Sequence, residues 1–536
     1  MINVLWILVI SLILLILGYR FYGKFISKSI GVDSERKTPA HTMRDGVDYV
    51  PAKTPVLLGH HFASIAGAAP IIGPVTAAVY GWFPVLLWVV FGGIFLGAVH
   101  DFSSLLASVR HQGRSIGEVI EERVGHTGKL LFLVFSFFAL ILVVSAFTII
   151  VAKTFVKVPE AATSSALFIL LALLFGLSVY RKVLPLSIST IIGVILLFLC
   201  VYIGLLIPIK LSFQLWVIIL LIYIFFASVT PVWILLQPRD YLNSFLLYTM
   251  IIGALIGIFI SRPSVHLDGY TAFHQNIGYL FPILFVTVAC GAISGFHSLV
   301  ASGTTAKQLN NEKDARVIGY GAMLIESLLA VIALITAAII TREKYHSFFP
   351  DPGPVALFAE GVGGFLSKIG FPLQAGISFT ALAVSAFALT SLDTATRLAR
   401  FSFQEFFIPR KGEKPSILCT NRFIGTIVVV IISGALAYSG KWQAIWPLFG
   451  SANQLLAAIA LLAVSVWLAS MGKRNFYTKY PMVFMFAVTL TALVIIFFKN
   501  ISTGNYILSF LAVLLLAVAI ILGYLSSKKL FIRTTT

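Results

Sequence analysis

Three carboxylates stand inside long apolar runs of this sequence: Asp101 in GAVHDFSS, Glu326 in GAMLIESLLAV and Asp393 in TSLDTATRLAR. An ionisable group at membrane depth faces a protein interior or a wetted cavity, and it gains or loses a proton when its surroundings change. Asp101 and Glu326 are therefore candidates for proton coupling, with helix anchoring through hydrogen bonds as the structural alternative for Asp101. Asp393 and Arg397 lie four residues apart on one helical face and are expected to pair as a gating salt bridge. Around His297 the run ACGAISGFHSLVASGTT places Ser298, Ser302, Thr304 and Thr305, whose hydroxyls suit a passing ion. Gly291, Ser294 and Gly295 in the same run read first as close helix packing. His60, His61 and His100 are candidate ligands for a transition metal, because imidazole suits Zn, Cu and Ni. Their adjacent spacings lack the i, i+4 geometry of a preformed helical site.

These groups need elements that hold them, and two stretches interrupt the apolar pattern. The first, GHHFASIAGAAPIIGP from Gly59 to Pro74, carries Ala66, Gly67, Ala68, Pro70 and Gly73. Proline removes a backbone donor and glycine loosens the chain, so a helix breaks here. The second expected break is Ser228, Thr230 and Pro231 within Phe225 to Tyr241. Broken backbone in lipid is tolerated only where protein or a cavity covers it, which makes these stretches the expected substrate site. Half-helix N-termini there offer N–H groups to an anion, and unwound carbonyls face a cation or ammonium. A sodium ion would use carbonyls of the first break with Ser298 and Ser302. The stretch WPLFGSANQLL, from Trp446 to Leu456, also interrupts an apolar run and reads as packing or an oligomer contact.

Composition sets the class. The chain is 59% hydrophobic and 11% charged, with a mean hydropathy of +0.99. Its many apolar runs of 18 to 25 residues are each long enough to cross a bilayer as helix. The expected fold is all-α, a polytopic membrane protein. The net charge of +18 falls in short loops, so lipid topology explains it and nucleic acid does not. Cys200, Cys290 and Cys419 form neither a disulfide framework nor a zinc ribbon. No P-loop, HExxH or GxSxG signature occurs, so ATP drive and an enzyme are not expected.

The apolar pattern predicts about fifteen spans. Residues 1–23 form an extra first helix, retained in the membrane with its N-terminus outside, and 24–55 form a cytoplasmic loop. Residues 56–210 make a five-helix repeat, 211–400 a second repeat inverted relative to the first, and 401–536 four accessory helices. Placed on alternating sides, roughly three-quarters of the Lys and Arg residues fall in loops assigned to the inside, which puts the C-terminus inside. An odd number of spans per block inverts the second block, the arrangement of a five-plus-five transporter core working by alternating access.

Several stretches resemble the carbon starvation protein A family of peptide transporters, within the amino acid, polyamine and organocation superfamily. They are DGVDYV (45–50), 59–74, GAVHDF (97–102), PVWILLQPRDYLN (231–243), 289–305, FALTSLDTATRLARFSFQEF (387–406) and 446–456. The resemblance implies uptake of small peptides across the bacterial cytoplasmic membrane, driven by an ion gradient of protons or sodium, with a pyruvate-like carboxylate as the alternative substrate. A metal-binding transporter using His60, His61 and His100 is a further alternative. Peptide termini would then be held by the backbone at 66–73 and 228–231.

Overall fold

The computed structural model describes residues 3–46, 48–180, 184–232, 234–409, 416–439 and 442–531. Val47 and Trp233 of the resemblance stretches, and Arg181, Lys182, Arg410, Lys411, Lys414, Lys441 and Arg533 of the Lys and Arg count, lie outside the described residues.

Apolar runs become helices, and the residues that punctuate them set the ends. The first helix, α1 (Val4–Ile30), starts where Asn3 Oδ1 accepts the Leu5 N–H at 2.8 Å and stops at Gly31, which is left-handed at φ 73°. The bent pair α2 (Thr54–Ala66) and α3 (Ala69–Tyr80) follows, with an angle of 42° between its halves. Next come α4 (Trp82–Arg110), the short α5 (Ile116–Val124), α6 (His126–Lys157), α7 (Pro159–Tyr180), α8 (Leu186–Leu206), α9 (Phe213–Val229) and α10 (Leu236–Ser261). A two-stranded hairpin, β1 (His274–Gln275) and β2 (Gly278–Tyr279), precedes α11 (Leu280–Thr287) and α12 (Gly295–Gly303). The chain continues with α13 (Glu312–Ala338), α14 (Pro354–Ser367), α15 (Leu373–Phe406), α16 (Arg422–Tyr438), α17 (Trp442–Ser470), α18 (Phe476–Ser502) and α19 (Tyr506–Phe531).

Eleven of the described helices are long and apolar enough to cross a membrane, or twelve with the bent pair as one span. That is fewer full-length spans than the fifteen expected. The remaining expected spans take other forms: α9 and α16 have 17 residues each, at the lower limit for crossing a bilayer, and 280–303 is interrupted. The chain is a multi-pass membrane protein of helices.

The first break lies where it was expected, at Gly67 and Ala68. The second does not. The chain turns between α9 and α10: Thr230 is extended ahead of Pro231, which cannot continue a helix. The second break within a span is 288–294, between α11 and α12. The two broken spans cross in opposite directions, α2 against α12 and α3 against α11. Glycine permits the contact, since a Cβ on Gly73 would stand 2.7 Å from the Thr287 carbonyl oxygen. The longest helices, α6 with 32 residues and α15 with 34, pack on each other beside this crossing.

Candidate functional site

Each broken span carries a buried histidine to a carboxylate. On α12, His297 Nδ1 is 2.8 Å from Asp101 Oδ2, and Asp101 Oδ1 is 2.7 Å from His100 Nδ1, so one α4 carboxylate accepts from two imidazoles. With Nδ1 carrying the proton, a neutral His297 presents a bare Nε2. That Nε2 faces Glu326 Oε2 of α13 at 3.4 Å, and neither oxygen of Glu326 has a hydrogen-bond partner. Two lone-pair atoms facing each other in a buried site repel, and a proton between Nε2 and Oε2 would relieve that repulsion. Among the described residues, neither Asp101 nor Glu326 has a Lys or Arg in an ion pair.

On α2, His60 Nδ1 lies 3.0 Å from Asp240 Oδ2 of α10, and Ser64 donates to the same oxygen at 3.2 Å. Arg239 links this carboxylate to α15, donating to Asp240 Oδ1 at 3.1 Å and to Asp393, whose Oδ2 also accepts the Tyr223 hydroxyl at 2.6 Å. The expected Asp393–Arg397 pair is therefore not what forms. Asp393 takes Arg239 from another helix, while Arg397 donates to the carbonyls of Ala227 at 2.8 Å and Thr230, at the open C-terminal end of α9. The i, i+4 spacing permits the local pair, but orphan carbonyls at a helix end and a second buried cation offer better partners.

The other expected site residues divide. Ala66, Gly67, Ala68, Pro70 and Gly73 are buried at the crossing, and a Cβ on Gly67 would meet Ser391 Oγ at 2.7 Å and Phe147 at 3.3 Å. Ser228 and Thr230 are used locally: Ser228 Oγ is 3.3 Å from Thr426 Oγ1 of α16, and Thr230 Oγ1 donates to the Phe226 carbonyl at 2.8 Å. Pro231 sits in the turn. Ser298 and Ser302 donate to the Gly295 and Ser298 carbonyls of their own helix, both at 2.7 Å.

His60, His61 and His100 do not gather around one point. Their Nδ1 atoms go to Asp240, to Thr305 at 2.8 Å and to Asp101. Among the described residues, the donor atoms close enough to share a metal ion belong to Cys290, His297 and Glu326, all within 4.8 Å of one another.

α17 closes the second break. Asn453 Oδ1 accepts the Phe296 N–H at 2.8 Å, its Nδ2 donates to Ser294 Oγ at 2.9 Å, and Gln454 Nε2 donates to the Phe285 carbonyl at 2.7 Å. Side chains of one helix thus cap the start of α12 and the end of α11. At the first break Ser391 Oγ donates to the Ser64 carbonyl at 3.1 Å. The WPLFGSANQLL stretch, expected to be packing outside the core, supplies the caps of the second broken span. Cavities open on either side of the crossing, one of about 370 Å³ lined by Ser302 and Glu405, the other of about 350 Å³ lined by Ile72, Lys157 and Asp351.

The family model for carbon starvation protein CstA matches residues 3–350 and 346–492. The peptide transporter CstA of Escherichia coli K12 is 34% identical, over 92% of this chain and 81% of the relative. The pyruvate/proton symporter BtsT of the same strain is 33% identical with the same coverage, and the peptide transporter CstA of Bacillus subtilis 168 is 32% identical over 86% of this chain and 84% of the relative. Among solved structures, a manganese transporter of Eremococcus coleocola superposes with a TM-score of 0.54 at 11% identity, over 91% of this chain and 99% of that one, a likeness of fold alone. With the family model covering most of its length and relatives above 30% identity along it, the chain belongs to the carbon starvation protein CstA family of transporters.

Proposed function

We propose that this chain is a secondary active transporter that takes up small peptides across a bacterial cytoplasmic membrane by alternating access, driven by the proton gradient. The observation that carries this reading is the His297–Glu326 contact beside the second break, where an imidazole nitrogen faces a buried carboxylate that has no Lys or Arg in an ion pair among the described residues. It lies in a span that can hinge, because 288–294 is not helical. Asp101 orients His297, and Glu326 collects the proton from a wetted face and releases it as the span moves. The backbone at 66–73 receives a charged terminus of the substrate.

The core reads as two inverted repeats of five spans. One is α2–α3, α4, α6, α9 and α10, with the hairpin α7–α8 inserted; the other is α11–α12, α13, α15, α16 and α17. Packing supports this division, because partners exchange between halves: α3 lies on α13 as α12 lies on α4, and α9 lies on α15 as α16 lies on α6. The division differs from the expected boundary at 210 and leaves α1, α18 and α19 outside the core. The N-terminus is outside and the C-terminus inside in this reading.

A pyruvate-like carboxylate is the second reading, favoured by the relative that is named a pyruvate/proton symporter. Proteoliposomes with an imposed pH gradient separate the two. A labelled dipeptide is expected to accumulate above equilibrium, to collapse with an uncoupler and to resist competition by pyruvate. Accumulation of pyruvate with none of the dipeptide replaces the first reading by the second, and uptake that never exceeds equilibrium for either refutes transport against a gradient.

A further inference from the structure

Three of the stretches that carry the family resemblance meet just beyond the C-terminal end of α12. In DGVDYV, Asp45 Oδ1 accepts the N–H groups of Asp48 and Tyr49, both at 2.9 Å, and Tyr49 donates its hydroxyl to the Gln112 carbonyl at 3.1 Å. Ala52 N–H reaches the Gln308 carbonyl at 3.0 Å and stitches this loop to the chain that leaves α12. The last turns of α15 bring Phe401 and Glu405 to the same place. Together with Ser302, Lys307 and Tyr49 these residues line the cavity of about 370 Å³.

Lys307 stands there with the carboxylates of Asp48, Glu405 and Asp45 acting on its charge from beyond ion-pair distance. Its Nζ stands 5.5 Å from the centroid of the Tyr49 ring and 5.4 Å from that of Phe401, a cation held between two aromatic faces. It makes no ion pair with a carboxylate among the described residues. Glu405, on the same wall, accepts from Ser115 Oγ at 2.9 Å and lies 3.9 Å from Lys129 Nζ. Aromatic faces restore only part of the hydration an ammonium loses, and an anionic group entering the cavity would give Lys307 Nζ the direct partner it does not have. The volume falls within the range of small-molecule sites.

We propose that this cavity is a docking site for carboxylate-bearing small molecules, with the carboxylate on Lys307 Nζ between Tyr49 and Phe401. The inference rests on the transport reading above and deepens it, because peptides and pyruvate share a carboxylate and only the peptide carries an ammonium as well. The site lies on the route that the end of α12 must clear as its span moves, where it collects substrate at one face.

The full chain in lipid nanodiscs tests this by calorimetric binding of alanyl-alanine, alanyl-alanine amide and pyruvate. The parent is expected to prefer the free acid to the amide by about tenfold, the size of one charge-assisted contact. Lys307→Gln should bind the two equally, and Lys307→Arg should keep the preference, with monodisperse elution reporting that each variant is folded. A preference that survives in Lys307→Gln, or that is lost in Lys307→Arg, overturns the docking site while leaving the transport reading standing. A parent that binds none of the three compounds overturns both.

Discussion

Glu326 and Asp101 are lone carboxylates in apolar runs, and the fold sets both against His297. Their roles differ. Asp101 accepts from two imidazoles and has no bare oxygen, whereas Glu326 has both oxygens without a partner. Glu326→Gln removes the proton site and keeps the shape, so it should abolish accumulation driven by a pH gradient while exchange of preloaded substrate survives. Asp101→Asn turns one acceptor into a donor facing an N–H and should slow both. If both variants keep pH-driven accumulation, and replacing sodium abolishes it in the parent, proton coupling through these carboxylates is wrong. Asp240 was not anticipated at all, although it ties His60, Ser64 and Arg239 together. Its signal is present as adjacent opposite charges in QPRDY, inside the 231–243 stretch that carries the family resemblance.

At the scale of elements, the second broken span depends on a helix outside it. α12 begins with no side-chain cap of its own, and Asn453 of α17 supplies one. Asn453→Ala should cost about 1–3 kcal/mol, since it leaves a buried N–H without an acceptor. Thermal unfolding in detergent measures this, with Ser451→Ala as the control because Ser451 Oγ donates only to Pro447 of its own helix, at 2.8 Å. A shift no larger than that of the control would mean that α17 merely packs on the break. The break itself was missed because it contains no proline. Pro231 drew attention to 228–231, where the chain simply turns, while 288–294 unwinds around small residues that let it lie against α3 and α13, where a Cβ on Gly291 would stand 2.7 Å from the Ala330 Cβ.

For the whole molecule, alternating access requires the cavities on the two sides of the crossing to open in turn. Ser402→Cys lines one and Thr154→Cys the other. With Cys200, Cys290 and Cys419 replaced by alanine, adding alanyl-alanine under a pH gradient should raise the rate of thiol labelling at one position and lower it at the other. Rates that rise or fall together would exclude a rocking motion about the broken spans.

Apolar run lengths alone determined that this is a multi-pass helical membrane protein, because helix is the structure that satisfies its own backbone in lipid without a partner. The first break was legible for an equally local reason: glycine and proline act on the backbone of their own residue. Pairings across the fold were not legible. Asp393 chose Arg239 over Arg397, and Asn453 capped a helix more than 150 residues away, through contacts at separations of 154 and 157 residues. A buried charge or an orphan N–H takes the best partner in space, and only the packing of α4, α10, α13, α15 and α17 around the two broken spans decided which partners were near.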